Sequence, residues 1–203
     1  MKILVTGADG GIGSAIVKAL KAIECELIET TSKDTDITKP DAVRALKERI
    51  GSVDWIVAAH GFIDTETTLE QQSPENIEKT FAVNSLSIVW LAKEFPTSNM
   101  IAISSSAGIA PNGHYAAYSA SKAAVNALVQ ALARNRQERT FFALAPGPTN
   151  TEMRQRIAGD AAQMQSPAVV AALARDLILG KTENKSGDII LIRDGAISVV
   201  SRL

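Results

Sequence analysis

The opening of this chain constrains it most: an apolar run, Lys2–Thr6, leads at once into Gly7-Ala8-Asp9-Gly10-Gly11-Ile12-Gly13, and a segment of helical period follows. Glycines here let a chain leave a strand, turn tightly and expose bare backbone. The following helix N-terminus presents unpaired N–H groups and a positive dipole end, where phosphates bind. A strand–glycine turn–helix is the signature of a dinucleotide-binding α/β unit. Two spacings fit the residues, Gly7, Gly11 and Gly13 or Gly7, Gly10 and Gly13.

The rest of the chain alternates in the same way. Strands are expected at Lys2–Thr6, Glu26–Thr30, Asp54–Ala59, Met100–Ser104, Thr140–Ala145 and Asp188–Arg193, with a further extended piece around Asp34–Ile37. Most are continuous apolar runs, as expected of strands covered on both faces. Helical periodicity fills the gaps at Gly13–Lys21, Pro40–Ile50, Ser73 to about Phe95, Ala117–Arg134 and Pro167–Leu179. The expected fold is α/β, a Rossmann-type doubly wound parallel sheet of about six or seven strands with helices on both faces. Residues 1–203 read as one nucleotide-binding domain, with a short substrate lid at about 149–166 carrying Met153, Ile157 and Met164.

A chain of 203 residues can bury a core without a disulfide or metal staple, and no metal site is expected. The formal net charge of −1 gives no reason to expect nucleic acid or a membrane surface as partner. Cys25 is the single cysteine, which suits a reducing compartment. The first apolar run is too short for a secretion signal and no run is long enough to span a bilayer, so a cytoplasmic location is expected.

Three side chains carry candidate chemistry. Tyr118 and Lys122 are four residues apart at the start of a helix and share one face. A neighbouring ammonium favours the phenolate, and lowering a phenol by three units takes roughly 4 kcal/mol. Ser105 ends a strand in Ile103-Ser104-Ser105-Ser106-Ala107-Gly108. A hydroxyl at a strand's carboxyl end can hydrogen-bond a substrate carbonyl while a phenol handles the proton.

These motifs together resemble the short-chain dehydrogenase/reductase family over nearly the whole chain. The matching stretches are TGADGGIG at 6–13, Asp36 in TDIT, IVAAHG at 56–61, Asn84 in FAVNSLS, ISSSAG at 103–108, YSASK at 118–122 and APGPTNTEM at 145–153. The resemblance implies a catalytic set of Asn84, Ser105, Tyr118 and Lys122: Tyr118 as general acid/base, Ser105 orienting the substrate oxygen, Lys122 on the ribose, Asn84 holding a relay water. It places cofactor contacts at Gly7, Asp9, Gly11, Ile12, Gly13, Thr31, Ser32, Lys33, Asp36, Ala59, Gly61, Tyr118, Lys122, Pro146, Gly147, Thr149 and Thr151. Asp36 would meet the adenine, and Pro146, Gly147 and Thr151 the nicotinamide.

One departure stands out. The family's Asn-Asn-Ala-Gly is Ala58-Ala59-His60-Gly61 here, and His60 is read as a satisfied histidine that takes over a missing hydrogen bond. His114 and Tyr115 are placed at the substrate mouth or in an exposed turn. NADP(H) is favoured over NAD(H), because Thr31, Ser32 and Lys33 follow the second strand where a carboxylate would repel a 2′-phosphate. Glu29 would reverse that preference if its carboxylate reached the ribose.

The expected function is hydride transfer between a nicotinamide dinucleotide and a carbonyl or secondary-alcohol substrate. The alternatives are a non-enzymatic dinucleotide-binding regulator and a sugar-nucleotide epimerase or dehydratase, the latter disfavoured because the chain has no room for a second substrate domain. A homodimer or homotetramer is expected through the helices at Ser73–Phe95 and Ala117–Arg134. The face of Ala120, Ala123, Ala124, Ala127 and Ala131 is open to two readings, packing against another copy or against the sheet.

Overall fold

Strands Lys2–Thr6 (β1), Glu26–Thr30 (β2), Trp55–Ala58 (β3), Asn99–Ile103 (β4), Phe141–Pro146 (β5), Ile189–Arg193 (β6) and Ala196–Ser201 (β7) form one sheet in the computed structural model of the chain. Their order is β2-β1-β3-β4-β5-β6-β7, parallel through β6, with β7 antiparallel at the edge. The structure describes residues 1–66, 68–111, 113–158 and 164–201. Helices are Gly11–Leu20 (α1), Pro40–Ile50 (α2), Pro74–Phe81 (α3), Ser87–Glu94 (α4), Ala116–Asn135 (α5), Glu152–Ala158 (α6) and Pro167–Ile178 (α7). This is the Rossmann-type α/β architecture expected from the alternation of apolar runs.

Alternate strand residues face opposite sides of the sheet, so each strand feeds two cores. Ile3 and Val5 meet Ile16 and Leu20 of α1 and Val170 and Ala174 of α7 on one face. Leu4, Ile56 and Met100 meet Leu46 of α2, Leu91 and Phe95 near α4, and Val125 and Val129 of α5 on the other. Each such fully buried side chain contributes roughly 1.5–3 kcal/mol.

β1 lies between the two strands that follow it in the chain: β2 on one side, β3 on the other. The connections therefore leave in opposite directions at the carboxyl ends of β1 and β3, the switch point where ligands bind in doubly wound sheets. Gly108 fixes the next wall. It ends a short 3₁₀ turn, Ser106–Gly108, after β4, and a Cβ there would stand 2.6 Å from the Lys122 carbonyl carbon. Bare backbone lets α5 sit directly on the end of β4.

Four expectations change. Asp34–Ile37 is a turn and not a strand: the Asp34 carboxylate accepts from the Thr31 backbone at 2.9 Å and its hydroxyl at 2.8 Å, and Asp36 accepts from Thr38. Among the described residues no strand lies outboard of β2. The long helix from Ser73 to Phe95 is broken by a π turn at Ala82–Leu86, which contains Asn84. β7 went unforeseen, although Asp194-Gly195, at φ 52° and 80°, is the left-handed pair that a tight hairpin demands. Finally, α5 turns Val125, Val129 and Ala133 to the core while Ala120, Ala123, Ala127 and Ala131 stay exposed, so the alanines do not pack on the sheet. The lid expected at about 149–166 includes α6, but residues 159–163 lie outside those described.

Among the described residues no helix is long and apolar enough to cross a membrane. Gly108→Ala is expected to cost about 1–3 kcal/mol through overpacking. The unfolding midpoint should then drop by at least about 2 °C for a chain of this size, measured by calorimetry.

Candidate active site

A cleft of about 740 Å³ opens at the carboxyl ends of β1, β3, β4 and β5, within the size range of small-molecule sites. Its floor begins with the glycine turn. Gly7 has φ 68°, and a Cβ there would stand 2.7 Å from the backbone of His60. A Cβ on Gly13 would strike the Gly7 carbonyl, and one on Gly11 would lie 2.6 Å from the Thr151 methyl. Gly10 meets only the Gly7 carbonyl, at 3.3 Å, so the spacing the fold enforces is Gly7, Gly11 and Gly13. The α1 N-terminus has no side-chain cap and no acid in its first turn, which leaves its N–H groups to the cleft.

His60 closes the gap between β3 and α4. The Ser87 hydroxyl donates to the Val83 carbonyl at 2.6 Å, so it accepts from His60 Nε2 at 2.7 Å. Nδ1 is then the acceptor for the Thr6 hydroxyl at 2.6 Å. A neutral ring satisfies both bonds. Burial, with a smaller effect of the nearby Lys122 charge, pulls the imidazole down to about 3.

The reacting groups gather at the ends of β4 and α5. Ser105 Oγ accepts from the Ala107 backbone N–H at 3.1 Å, which leaves its own hydrogen for an acceptor in the cleft. Burial pushes the Tyr118 phenol above its ordinary value, opposed by a hydrogen bond with Ser105 and by the Arg154 charge. Lys122 is buried, donates to the Ile103 carbonyl at 2.8 Å, and stands 5.8 Å from the centre of the Tyr118 ring. Burial pulls its ammonium down to about 8. Burial sets the direction of the phenol's shift, and the charge that opposes it comes from Arg154.

Ser105, Tyr118 and Lys122 line the cleft, as do Gly7, Asp9, Gly11, Ile12, Thr31, Ser32, Asp36, Ala59, Gly61, Pro146, Gly147, Thr149 and Thr151. Three expected residues do not. Asn84 is buried behind the wall: its amide donates to the Phe62 carbonyl at 2.8 Å and Ser121 Oγ at 2.9 Å, and accepts from the Phe62 N–H at 2.7 Å. Gly13 is spent on the turn. Lys33 is exposed outside the cleft. Glu29 pairs with Lys21 at 2.7 Å and does not line the cleft either.

Two expected contacts are engaged internally. Thr149 Oγ1 donates to the Gly147 carbonyl at 2.9 Å and accepts from Gln165 at 3.1 Å. Thr151 Oγ1 accepts from the Arg154 N–H at 3.2 Å and so starts α6. Tyr115 lines the cleft with φ 59°, a left-handed backbone at the entry of α5, while His114 does not line it and sits edge-on to the Tyr115 ring. Sequence reasoning missed Arg154. Its only signal is a cation directly after the apolar Met153 of the lid.

The His60 geometry sets a pH dependence. The unfolded chain takes up a proton near pH 6.5, whereas the folded ring resists protonation until about pH 3. Stability conferred by the neutral ring is therefore complete above pH 6.5 and falls as pH drops below it. The slope is up to ~1.4 kcal/mol per pH unit, so about 2 kcal/mol is lost by pH 5. Urea unfolding at pH 7 and pH 5 checks this. His60→Gln should start less stable at pH 7 yet lose less on acidification; equal losses in both proteins would contradict the neutral-ring assignment.

Comparison with known proteins agrees with this geometry. Residues 24–162 match the family model described as short chain dehydrogenase. The chain is 29% identical to benzil reductase ((S)-benzoin forming) of Saccharomyces cerevisiae, covering 76% of this chain and 74% of that protein. It is 28% identical to the 3-oxoacyl-[acyl-carrier-protein] reductase FabG of Escherichia coli, covering 77% of each. In structure it matches a small-chain dehydrogenase in complex with NADPH, with a TM-score of 0.83 at 18% identity over 96% of this chain and 97% of that one. A short-chain type dehydrogenase/reductase from Mycobacterium ulcerans superimposes with a TM-score of 0.81 at 19% identity, over 96% of this chain and 88% of that one. The glycine turn lies before the matched range and stands on its geometry alone. With the family model spanning well over half of the sequence, the chain belongs to the short-chain dehydrogenase family of enzymes.

Proposed function

We propose that the protein transfers hydride between NADP(H) and a carbonyl or secondary-alcohol substrate, with Tyr118 as the proton-handling group. The observation that carries the reading is the grouping of Tyr118, Ser105 and Lys122 on one wall of a cleft whose floor is the bare glycine turn. The cradle fits a dinucleotide: side chains at Gly7, Gly11 or Gly13 would fill it, and the α1 N-terminus faces it uncapped. Gly7, Asp9, Gly11 and Ile12 would hold the pyrophosphate region, Thr31, Ser32 and Asp36 the adenosine end, and Pro146, Gly147 and Thr151 the nicotinamide end. When bound, the dinucleotide supplies or takes up the hydride.

The protein's own residues do the rest. The Ser105 hydroxyl, its oxygen already accepting from Ala107, donates to the substrate oxygen and fixes its position. Tyr118 gives that oxygen its proton during reduction and takes one from it during oxidation. The Lys122 ammonium, held by the Ile103 carbonyl, supplies fixed positive potential beside the ring. Asn84 acts as a positioning residue, tying the Phe62 loop to α5 at Ser121. α6 closes the open side of the cleft as a small lid, with Met153 and Ile157 on its wall. NADP(H) is preferred because the end of β2 presents Thr31 and Ser32 while Glu29 is turned to Lys21. The exposed small-residue face of α5 supports association of identical chains.

Ligand at 100 times its dissociation constant adds ~2.7 kcal/mol, which raises the midpoint by roughly 5–10 °C for a chain of this size. NADPH should produce that shift and NADH a smaller one; no shift with either would refute the reading. Tyr118→Phe should lower turnover of an accepted carbonyl by about 10²–10⁴ while keeping the NADPH shift. Because burial holds the phenol protonated, reduction should stay level through neutral pH and decline only in the alkaline range, whereas oxidation rises with pH.

A further inference from the structure

We propose that Arg154 is a specificity-determining residue that binds a carboxylate on the substrate, so that the carbonyl compound is an oxo acid. The inference rests on the hydride-transfer reading for the place of the reacting carbonyl beside Ser105 and Tyr118. Arg154 lies on the cleft wall, on the first turn of α6, anchored through its own N–H to Thr151, whose methyl packs on Gly11. The side chain is half-buried, and its Nε is enclosed without a hydrogen-bond acceptor. An enclosed N–H of a charged group is costly to leave unpaired, and a guanidinium fork matches a carboxylate in shape and charge.

The described residues do not supply that carboxylate. No ion pair joins Arg154 to an acid among them, although Arg175, Arg44 and Arg193 each approach one. The acids on the cleft wall are Asp9 in the glycine turn, Asp36 in the connection after β2, and the exposed Glu152. Lys122 spends one of its three N–H donors on the Ile103 carbonyl, which ties the ammonium to the end of β4. Arg154 is also near enough to Tyr118 for its charge to favour the phenolate, which puts it at the reacting end of the cleft and not the adenosine end. A substrate oxygen on Ser105 and Tyr118 and an anion on Arg154 would fix a small molecule at two points, enough to orient its carbonyl carbon.

The anion that Arg154 meets could instead belong to the dinucleotide's phosphates, and the test separates the two. Acetoacetate, 4-oxopentanoate and 4-formylbenzoate would each be compared with its methyl ester, by thermal shift with and without saturating NADP⁺ and by NADPH oxidation. At least one acid is expected to bind wild type about tenfold or more tightly than its ester. Arg154→Gln should remove that preference while ester binding and NADPH affinity stay within about threefold, and Arg154→Lys should restore part of it as a point charge. Absence of any acid preference, or its survival in Arg154→Gln, would overturn the proposal. So would a loss of NADPH affinity in that variant, which would assign the guanidinium to the cofactor. An acid preference that depends on Arg154, without any reduction, would keep the anion site and overturn hydride transfer instead.

Discussion

The site depends on one close approach, that of the β1–α1 turn to the end of β3. Gly7 lies against the His60 backbone with no room for a Cβ, and the Thr6 side chain reaches the His60 ring across the same junction. The ring continues to Ser87 on α4, so a chain of hydrogen bonds runs from the first strand to the helix that covers it. The bridge continues the junction beyond the last paired residues of the β1–β3 ladder, Thr6 and Ala58. The bridge holds the crevice at a fixed width, and every group proposed to hold the dinucleotide is measured from its two rims. The histidine of Ala58-Ala59-His60-Gly61 thus joins β1 to α4 through its ring.

The second constraint is electrostatic. Lys122 is buried and Tyr118 half-buried, and burial works against the charged form of each. In the protein alone the pair leans toward neutral phenol with a weakened ammonium, the state suited to giving a proton away. Fixed dipoles compensate only part of the burial: one carbonyl for Lys122 and one hydroxyl for Tyr118. Titrating groups displaced in this way cluster at functional sites.

What was legible in the sequence was local. Continuous apolar runs marked the strands because both sheet faces are covered, and Tyr118, Lys122 and Ser105 could be placed because helix spacing and strand ends fix them without knowledge of partners. The misses required tertiary information. Asp34–Ile37 was read as an extended piece, yet two Asp side chains capture nearby N–H and hydroxyl groups and fold it into turns. Lys33 is adjacent to Thr31 and Ser32 in sequence, but the turn sends it outward. The partners of the Asn84 amide, Phe62 and Ser121, lie far from it on either side in the sequence and could not be read there. β7 was the avoidable miss, since Asp194-Gly195 announces a hairpin. Arg154 was unreadable because a lone arginine on a short helix is ordinarily solvated; only the fold shows its place on the cleft wall with an enclosed Nε.

The π turn at Ala82–Leu86 has a bearing on how this chain tolerates insertions and deletions. A π turn is an α-helix with one residue too many, and each helical residue rotates the following segment by about 100°. Ser87, the residue that receives the His60 ring, lies immediately beyond the surplus residue. Loss of a single codon here would let the helix heal into regular pitch, satisfying local backbone chemistry while swinging the hydroxyl away from β3. The irregularity works as a phase setting: in the stretch from Pro74 to Glu94 a perfect helix would be the wrong structure.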